Sequence, residues 1–339
     1  MARYFLSALA FSLSVASSLC AGGDAPAPPD PTTYELRYKL SPGEVLRYEV
    51  MHRASIRSTI DETTQAAQTK TDSIKSWKVI DVLPSGDIEV MNVVERVRMV
   101  NQLPGHDPTE YDSELDETPP AGFEDAAKAI GVPLSVVRMS PSGKVIRREA
   151  KIRQQNVEED APIVVRLPDK PVTVGETWDE PFDVKVTLEN GDSKTVQSRR
   201  RHKLTAVATG IAKIEVTYQV LTPIDPYVES QLVQRLMDGE VKFDIKAGRV
   251  VSQQMDIDKR ILGFAGPTSS MHYIVRMEEK LLGEKQKVAV KQQATKQPSV
   301  KPSTPPPAEA SRTTTKRPQR NARTSKRSRA PISTKGYRR

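Results

Sequence analysis

Apolar and polar residues alternate along several stretches of this chain. Residues 34–40, 182–188 and 214–220 each place an apolar side chain at every second position. Because successive side chains of a strand point to opposite faces, each pattern predicts a strand with one buried and one solvent-facing side. The pair Asn190–Gly191 follows the second stretch and predicts a hairpin turn, since both residues tolerate a positive φ.

Helical patterns are scarce by comparison. Residues 123–130, closed by Gly131, predict one short helix. Residues 227–237 place apolar side chains on one helical stripe, with Gly239 as a stop, and predict a second helix. The stretch 103–120 is acidic and polar and predicts an exposed loop.

Four landmarks occur twice in the same order along the chain: a Gly-Glu pair, a strand beginning with lysine, an Ile-Glu-Val strand and a Gly-basic-Val turn. They lie at 43–44 and 175–176, 78–82 and 203–207, 88–90 and 214–216, and 143–145 and 248–250. Duplication of one β-unit, giving related units at about 33–160 and 161–284, explains this pattern. Unrelated hairpins that converge on similar sequences explain it as well, and the sequence leaves both explanations open.

Residues 33–284 predict a single β-rich domain, because about 250 residues suffice for one hydrophobic core and no Pro/Gly/Ser linker interrupts them. The predicted fold is mainly β: an antiparallel curved sheet, a sandwich or a half-barrel, with two short helices at its ends. Residues 285–339 are rich in Pro, Ser, Thr, Gln and basic residues and have few large apolar side chains. They predict a disordered C-terminal tail, because such a segment buries too little surface to offset its conformational entropy.

The N-terminal residues predict export to the periplasm, the cell envelope or the extracellular space. Residues 1–23 have a basic residue near their start, Arg3, and continue with an uncharged apolar run and small residues, as in a cleaved signal peptide. Residues 24–32 form a Pro-rich spacer. Cys20 is the only cysteine in the chain. Leu19 stands before it where lipoprotein signals need a small residue, which argues against a lipid anchor at Cys20.

Charge is divided unevenly along the chain. The tail has 16 lysine and arginine residues and one acidic residue, Glu309, whereas the rest of the chain has a formal charge of −7. Such a tail is expected to bind a polyanion by counterion release: nucleic acid, acidic polysaccharide or an anionic lipid surface. A solvated tail with no specific partner is the alternative. The candidate polyanion-binding residues are Lys316, Arg317, Arg320, Arg323, Lys326, Arg327, Arg329, Arg338 and Arg339.

No catalytic, metal-binding or cofactor-binding motif is recognisable in the sequence. The four histidines lack the spacing of a metal pair on a helix, and no P-loop, G-x-S-x-G or G-x-G-x-x-G motif occurs. His106–Asp107, in the polar stretch, is the nearest approach to an acid/base pair, and Ser269 and His272 do not form a hydrolase signature. Trp77 and Trp178 would suit sugar stacking, but packing in the core is the more usual role.

Short motifs in a fixed order resemble those of a family of exported, β-rich proteins of unknown function from planctomycete-type bacteria. The motifs are Trp77 leading to Val82 and Gly86, Leu167–Pro168, Val174 to Trp178, Phe243–Asp244 with Gly248, and Ser269–Ser270 before Tyr273 and Glu278. The resemblance spans about 33–284, leaves out the tail, and implies export and a β-rich fold without supplying an activity or site residues.

These observations favour an exported, non-enzymatic binding or structural protein of the cell envelope or extracellular space, tethered by its tail. A hydrolase of envelope polymer, with an acidic site that the sequence does not reveal, is the alternative. A pocket that gathers His106, Asp107 or other acids would favour the hydrolase. An apolar groove between the two halves would favour ligand binding, and a purely structural component would have no pocket.

Overall fold

The computed structural model describes residues 32–152 and 163–283. The predicted signal peptide, the spacer up to residue 31, residues 153–162 and the basic tail lie outside these ranges. The elements, in chain order, are β1 Thr33–Tyr34, β2 Val45–Ile60, β3 Thr63–Val82, β4 Ile88–Gln102, β5 Thr109–Asp112, α1 Glu124–Ala129, β6 Pro133–Met139, β7 Val145–Ala150, β8 Val172–Thr173, β9 Thr177–Thr187, β10 Ser193–Ala208, β11 Ile211–Val220, α2 Pro226–Leu232, a 3-10 helix Val233–Arg235, β12 Asp238–Asp244, β13 Arg249–Leu262 and β14 Ser270–Leu281.

All the named strands except β1 and β8 form one open antiparallel sheet. Its order is β7-β6-β4-β3-β2-β14-β13-β12-β11-β10-β9, with β5 paired to β4, and β7 and β9 are its edges. Strands β1 and β8 make a separate two-stranded pairing. The predicted mainly β, antiparallel fold with two short helices is confirmed, and its main sheet is open.

The sheet curves around its own core. One cluster of buried side chains includes Val137 from β6 and Leu204 from β10, which lie eight positions apart in the strand order. A flat sheet would separate such strands by roughly 38 Å, at about 4.8 Å per strand. Curvature therefore brings both halves of the sheet onto the same core, which also contains Leu36, Tyr38 and Leu40.

The N-terminal strap, residues 35–43, lies on the inner face of this curved sheet. The alternation at 34–40 correctly predicted which side chains are buried, but the prediction of a strand was wrong beyond Tyr34. The strap makes isolated backbone bonds to two turns: Tyr38 N donates to Pro141 O at 2.7 Å and Lys39 N to Gly248 O at 3.0 Å. A Cβ on Gly248 would lie 2.5 Å from Lys39 N, so only glycine permits this approach.

The two halves of the sheet repeat the same order of elements. From one edge inwards the strands run β7, β6, β4, β3, β2, and on the other side of β14 they run β13, β12, β11, β10, β9. Matching details recur: Gly43 N donates to Val79 O and Gly175 N to Leu204 O. The register shifts directly after Val79 in β3 and directly after Leu204 in β10. Origin of the halves by duplication stays a prediction.

Local predictions differ from the structure in three further places. The exposed loop predicted at 103–120 contains β5, whose Tyr111 is buried against Phe123 at a ring distance of 5.8 Å. In the turn between β9 and β10, only Gly191 has a positive φ, of 87°. The second helix ends at Leu232 and continues as a 3-10 turn, so Gly239 is not a helix stop but the second residue of β12.

Candidate functional site

A groove opens through the sheet where β12 is shorter than its neighbours. Strand β12 begins at Asp238, whereas β11 continues to Val220 and β13 to Leu262. The groove, called the slot below, lies between these two strand ends and has a volume of about 560 Å³. This is within the range of small-ligand sites, roughly 300–1,000 Å³.

Helix α2 and the segment after the 3-10 helix contribute residues to the slot: Glu229 lies in α2, and Leu236 directly follows the 3-10 helix. Helix α2 begins at Pro226, whose fixed φ suits the first turn, and the carboxylate of Asp225 accepts a hydrogen bond from Val228 N at 2.8 Å. Val228 and Leu232 are buried against the inner face of β9 and β10, which anchors the helix. The apolar residues that line the slot are Val220, Pro223, Ile224, Leu236 and Ile257.

Four carboxylates also line the slot, and each has a partner. Asp258 lies 2.6 Å from His272 Nε2, and Glu229 pairs with Lys259 at 2.8 Å. The other two carboxylates belong to Asp238, which accepts the backbone N–H of Tyr218 at 2.7 Å, and Asp256, which pairs with Arg276 at 2.6 Å.

The titration of Asp256 bears on the chemistry of the slot. Partial burial raises the pKa of its carboxyl, but hydrogen bonds from Gln254 and Arg276 and the charge of Arg276 outweigh burial and leave the pKa below its ordinary value. A general acid needs the opposite shift, towards neutral pH. Asp256 is therefore held as a carboxylate, which suits binding better than proton donation.

A second, smaller cavity lies between the N-terminal strap and the sheet. Tyr38, Tyr48 and Trp77 line this central crevice together with residues 163–165. It has about 20 Å³ of space for a water-sized molecule, which is room for about one water. Trp77 is 5% exposed, and its indole Nε1 has no hydrogen-bond partner among the described residues. The crevice is thus a packed part of the core and too small for an organic ligand.

A buried carboxylate lies at the edge of the central crevice. Glu279 is 5% exposed, pairs with Lys75 at 2.8 Å and accepts a hydrogen bond from Gln253 Nε2 at 2.6 Å. The Lys75 ammonium also lies 5.9 Å from the Tyr48 ring centroid and 5.7 Å from that of Trp77. Burial raises the pKa of Tyr48, whose hydroxyl donates to a backbone carbonyl. These contacts provide the carboxylate of Glu279 with a salt bridge and a hydrogen bond, so Glu279 and Lys75 form a structural ion pair.

A buried histidine lies on β10, on the inner side of the sheet. His202 stacks on Trp178 with ring centroids 5.4 Å apart and an interplanar angle of 8°. Burial, followed by the charge of Arg200, lowers the pKa of His202 to about 4, against a hydrogen bond that the ring donates to the backbone of Trp178 and the charge of Asp179, which raise it. The ring is therefore neutral at physiological pH.

Residues considered for catalysis from the sequence are not gathered in one place. His106 and Asp107 are exposed in the turn between β4 and β5. The hydroxyl of Ser269 donates to Gly266 O at 2.7 Å within its own turn, whereas His272 contacts Asp258 on the neighbouring strand.

Both tryptophans pack in the protein rather than present a stacking face. Trp77 is buried in the core, and Trp178 packs against it and donates its indole N–H to Arg166 O at 2.7 Å. The nine candidate polyanion-binding residues of the tail lie outside the described residues. Within the described ranges, no group of three or more His, Cys, Asp or Glu side chains could hold a metal ion, and no helix is long and apolar enough to cross a membrane.

Comparison with known proteins gives distant likenesses only. The sequence matches no family model and no curated protein, so the resemblance to planctomycete-type exported proteins stays a prediction. Lipovitellin, from a structure on its lipid–protein interactions, is similar with a TM-score of 0.40 and 12% identity over 72% of this chain and 26% of that one, so this chain spans about a quarter of it. A DUF1329 family protein from Desulfovibrio piger is similar with a TM-score of 0.13 and 10% identity over 69% of this chain and 83% of that one.

Proposed function

We propose that this protein is an exported, non-enzymatic binding protein of the cell envelope or extracellular space that holds its ligand in the slot. The observation behind this proposal is an open groove of about 560 Å³ whose walls combine apolar side chains with carboxylates that already have partners. A purely structural component would need no such groove. A hydrolase would need an acid with a raised pKa, and the carboxyl of Asp256 has the opposite shift.

Binding in the slot is tested with Nile red, a neutral apolar dye whose fluorescence rises in apolar surroundings. The substitution Val220→Trp places a large ring in the slot, and we expect it to weaken dye binding about tenfold or more, because the ring occupies space in which the dye would bury its own apolar surface. Leu221→Trp is the matched control, since Leu221 is 50% exposed and does not line the slot. Dye binding that Val220→Trp leaves unchanged would place the site elsewhere.

The proposal assigns the tail a separate role as an electrostatic tether to a polyanionic surface. The basis is its charge: 16 basic residues against a single acid over 285–339. Counterion release makes such binding fall by about 0.7–0.9 log units of affinity per log unit of salt for each phosphate neutralised. A tether of this kind needs no folded site and acts independently of the slot.

The tether is tested by binding to heparin, DNA and anionic vesicles over a salt series, with the full chain and with a form lacking 285–339. We expect the full chain alone to bind, and high salt to abolish the binding. Equal binding by both forms, or binding by neither, would contradict the tether and leave the slot proposal untouched. The three surfaces separate nucleic acid, polysaccharide and lipid as partners.

A further inference from the structure

The walls of the slot are the edges of β11 and β13, which extend beyond β12, the strand that pairs with both of them. Strand β12 pairs with β11 only as far as Val216, opposite Gly239. It pairs with β13 only as far as Asp256, opposite Asp238. Beyond these points the edges continue as Thr217–Val220 in β11 and Ile257–Leu262 in β13, on either side of the slot.

These edges have backbone groups that β12 would otherwise have paired. In an antiparallel sheet, alternate residues direct their N–H and C=O groups to the same side. Strand β14 pairs with the far side of β13 along all of Ile257–Leu262. On the slot side of that segment, the described residues provide no backbone or side-chain hydrogen bond. On the opposite wall, formed by β11, the backbone N–H of Tyr218 donates a hydrogen bond to the carboxylate of Asp238. This side chain replaces a neighbouring strand for that one hydrogen bond only.

The dimensions of the slot match one missing strand. At the end of β12, Gly239 lies between Val216 and Met255, so the two walls begin two strand spacings apart, about 9.6 Å. The volume of about 560 Å³ continues this space past the end of β12. Open strand edges of this kind are templates for pairing with an added chain.

We propose that the slot receives an extended peptide segment of another protein, which adds to the sheet as a strand in line with β12. This inference rests on the proposed function and names its ligand class. Main-chain hydrogen bonds to β13, and to β11 beyond Tyr218, give affinity, and the slot side chains select the sequence.

The walls also define the side chains that such a peptide needs. Ile257 is buried and packs with Val233, whereas its neighbours Asp256 and Asp258 have side chains that are 39% and 72% exposed. Alternate side chains of an added strand face opposite sides. One set of peptide side chains contacts the apolar side of the slot, where Ile257 and Leu236 lie. The other set faces the carboxylates of Asp256 and Asp258. Asp256 and Asp258 already pair with Arg276 and His272, but four carboxylates line the slot against one basic side chain, Lys259, so its lining is acidic. The slot therefore selects a peptide in which apolar and basic residues alternate.

The test uses the full chain and a fluorescently labelled peptide of alternating valine and lysine, with binding followed by fluorescence anisotropy. The same peptide with N-methyl groups on one strand edge keeps the side chains and charge but loses its donors to one wall. We expect N-methylation to weaken binding about tenfold or more, because several hydrogen bonds are lost together. Val220→Trp is expected to weaken binding similarly, and Leu221→Trp to leave it unchanged.

Charge selection is tested separately with Asp258→Lys, which is expected to weaken the valine–lysine peptide. Glu215→Lys makes the same charge change at an exposed position of β11 outside the slot and is the matched control. Hydrogen exchange locates the peptide: protection is expected at 217–220 and 257–262. Protection elsewhere, or equal binding by the N-methylated peptide, overturns strand addition.

The outcomes separate this inference from the proposed function. If Nile red binds in a manner sensitive to Val220→Trp but the peptide does not, the slot binds a ligand and strand addition is wrong. If Val220→Trp weakens the binding of neither Nile red nor the peptide, both proposals fail. Peptide binding that depends on Val220 and is lost on N-methylation supports both.

Discussion

Replacing Gly239 with alanine is expected to lower the free energy of unfolding by about 3 kcal/mol, at the upper end of the range for overpacking. A Cβ at this position would lie 2.0 Å from the carbonyl oxygen of Gln254 and 2.6 Å from the sulfur of Met255. Strand β12 would have to move away from β13 to make room, which weakens the pairing on which the slot depends. Urea denaturation followed by circular dichroism measures the change.

The matched control for this substitution is Gly210→Ala. Gly210 has a φ of 80° in the turn between β10 and β11, and a Cβ there would meet nothing within 4 Å. Its cost is the positive φ alone, roughly 1 kcal/mol. If both variants lose the same stability, the close approach of β12 to β13 at Gly239 does not restrict this residue.

Gly239 also illustrates why part of the sequence prediction was wrong. A glycine just after an apolar helical stripe is typical of a helix C-terminus, which needs a positive φ. Gly239 is not among the positive-φ glycines, and its requirement for glycine comes from a neighbouring strand, fifteen positions later in the chain at Gln254. Such a requirement depends on tertiary contacts, so local sequence rules assign the residue to the wrong element.

The N-terminal strap shows the reverse relation between pattern and structure. Alternation at 34–40 reports which side chains are buried, and Leu36, Tyr38 and Leu40 are indeed in the core. Alternation does not report whether a neighbouring strand is available for pairing. Here the strap crosses the ends of two hairpins and makes single bonds to Pro141 and Gly248, so it is extended without being part of the sheet. The period of the pattern thus predicts burial more directly than hydrogen bonding.

The slot could not have been found from one motif, because its walls come from β11, α2, β12 and β13 and the loops that join them. One trace is present in the sequence: the strand that ends at Asp244 is followed by the longer strand from Arg249, so their unequal lengths leave an unpaired edge. That trace becomes interpretable only when the strand order is known.

Lowering the pH from 7 to 4 is expected to destabilise the protein by about 3 kcal/mol through His202. Burial, and then the charge of Arg200, lowers the pKa of this ring from its ordinary value of 6.5 to about 4. Between these two values the unfolded chain binds a proton that the folded chain does not. The contribution of His202 is therefore complete above pH 6.5 and is lost progressively as the pH falls towards 4.

The substitution His202→Phe keeps a ring against Trp178 and removes the titration, so the slope of stability against pH, and not the absolute stability, is the readout. Urea denaturation at intervals from pH 7 to 4 should show a shallower slope for the variant. His52 also has a pKa lowered by burial and then by the charge of Arg53, so it contributes with the same sign, and His52→Gln should remove a smaller part. Asp179 and Asp256 have lowered pKa values, and their contributions are lost mainly below pH 4. An unchanged slope in His202→Phe would mean that the ring is charged in the folded protein, and that its stacking on Trp178 does not exclude the proton.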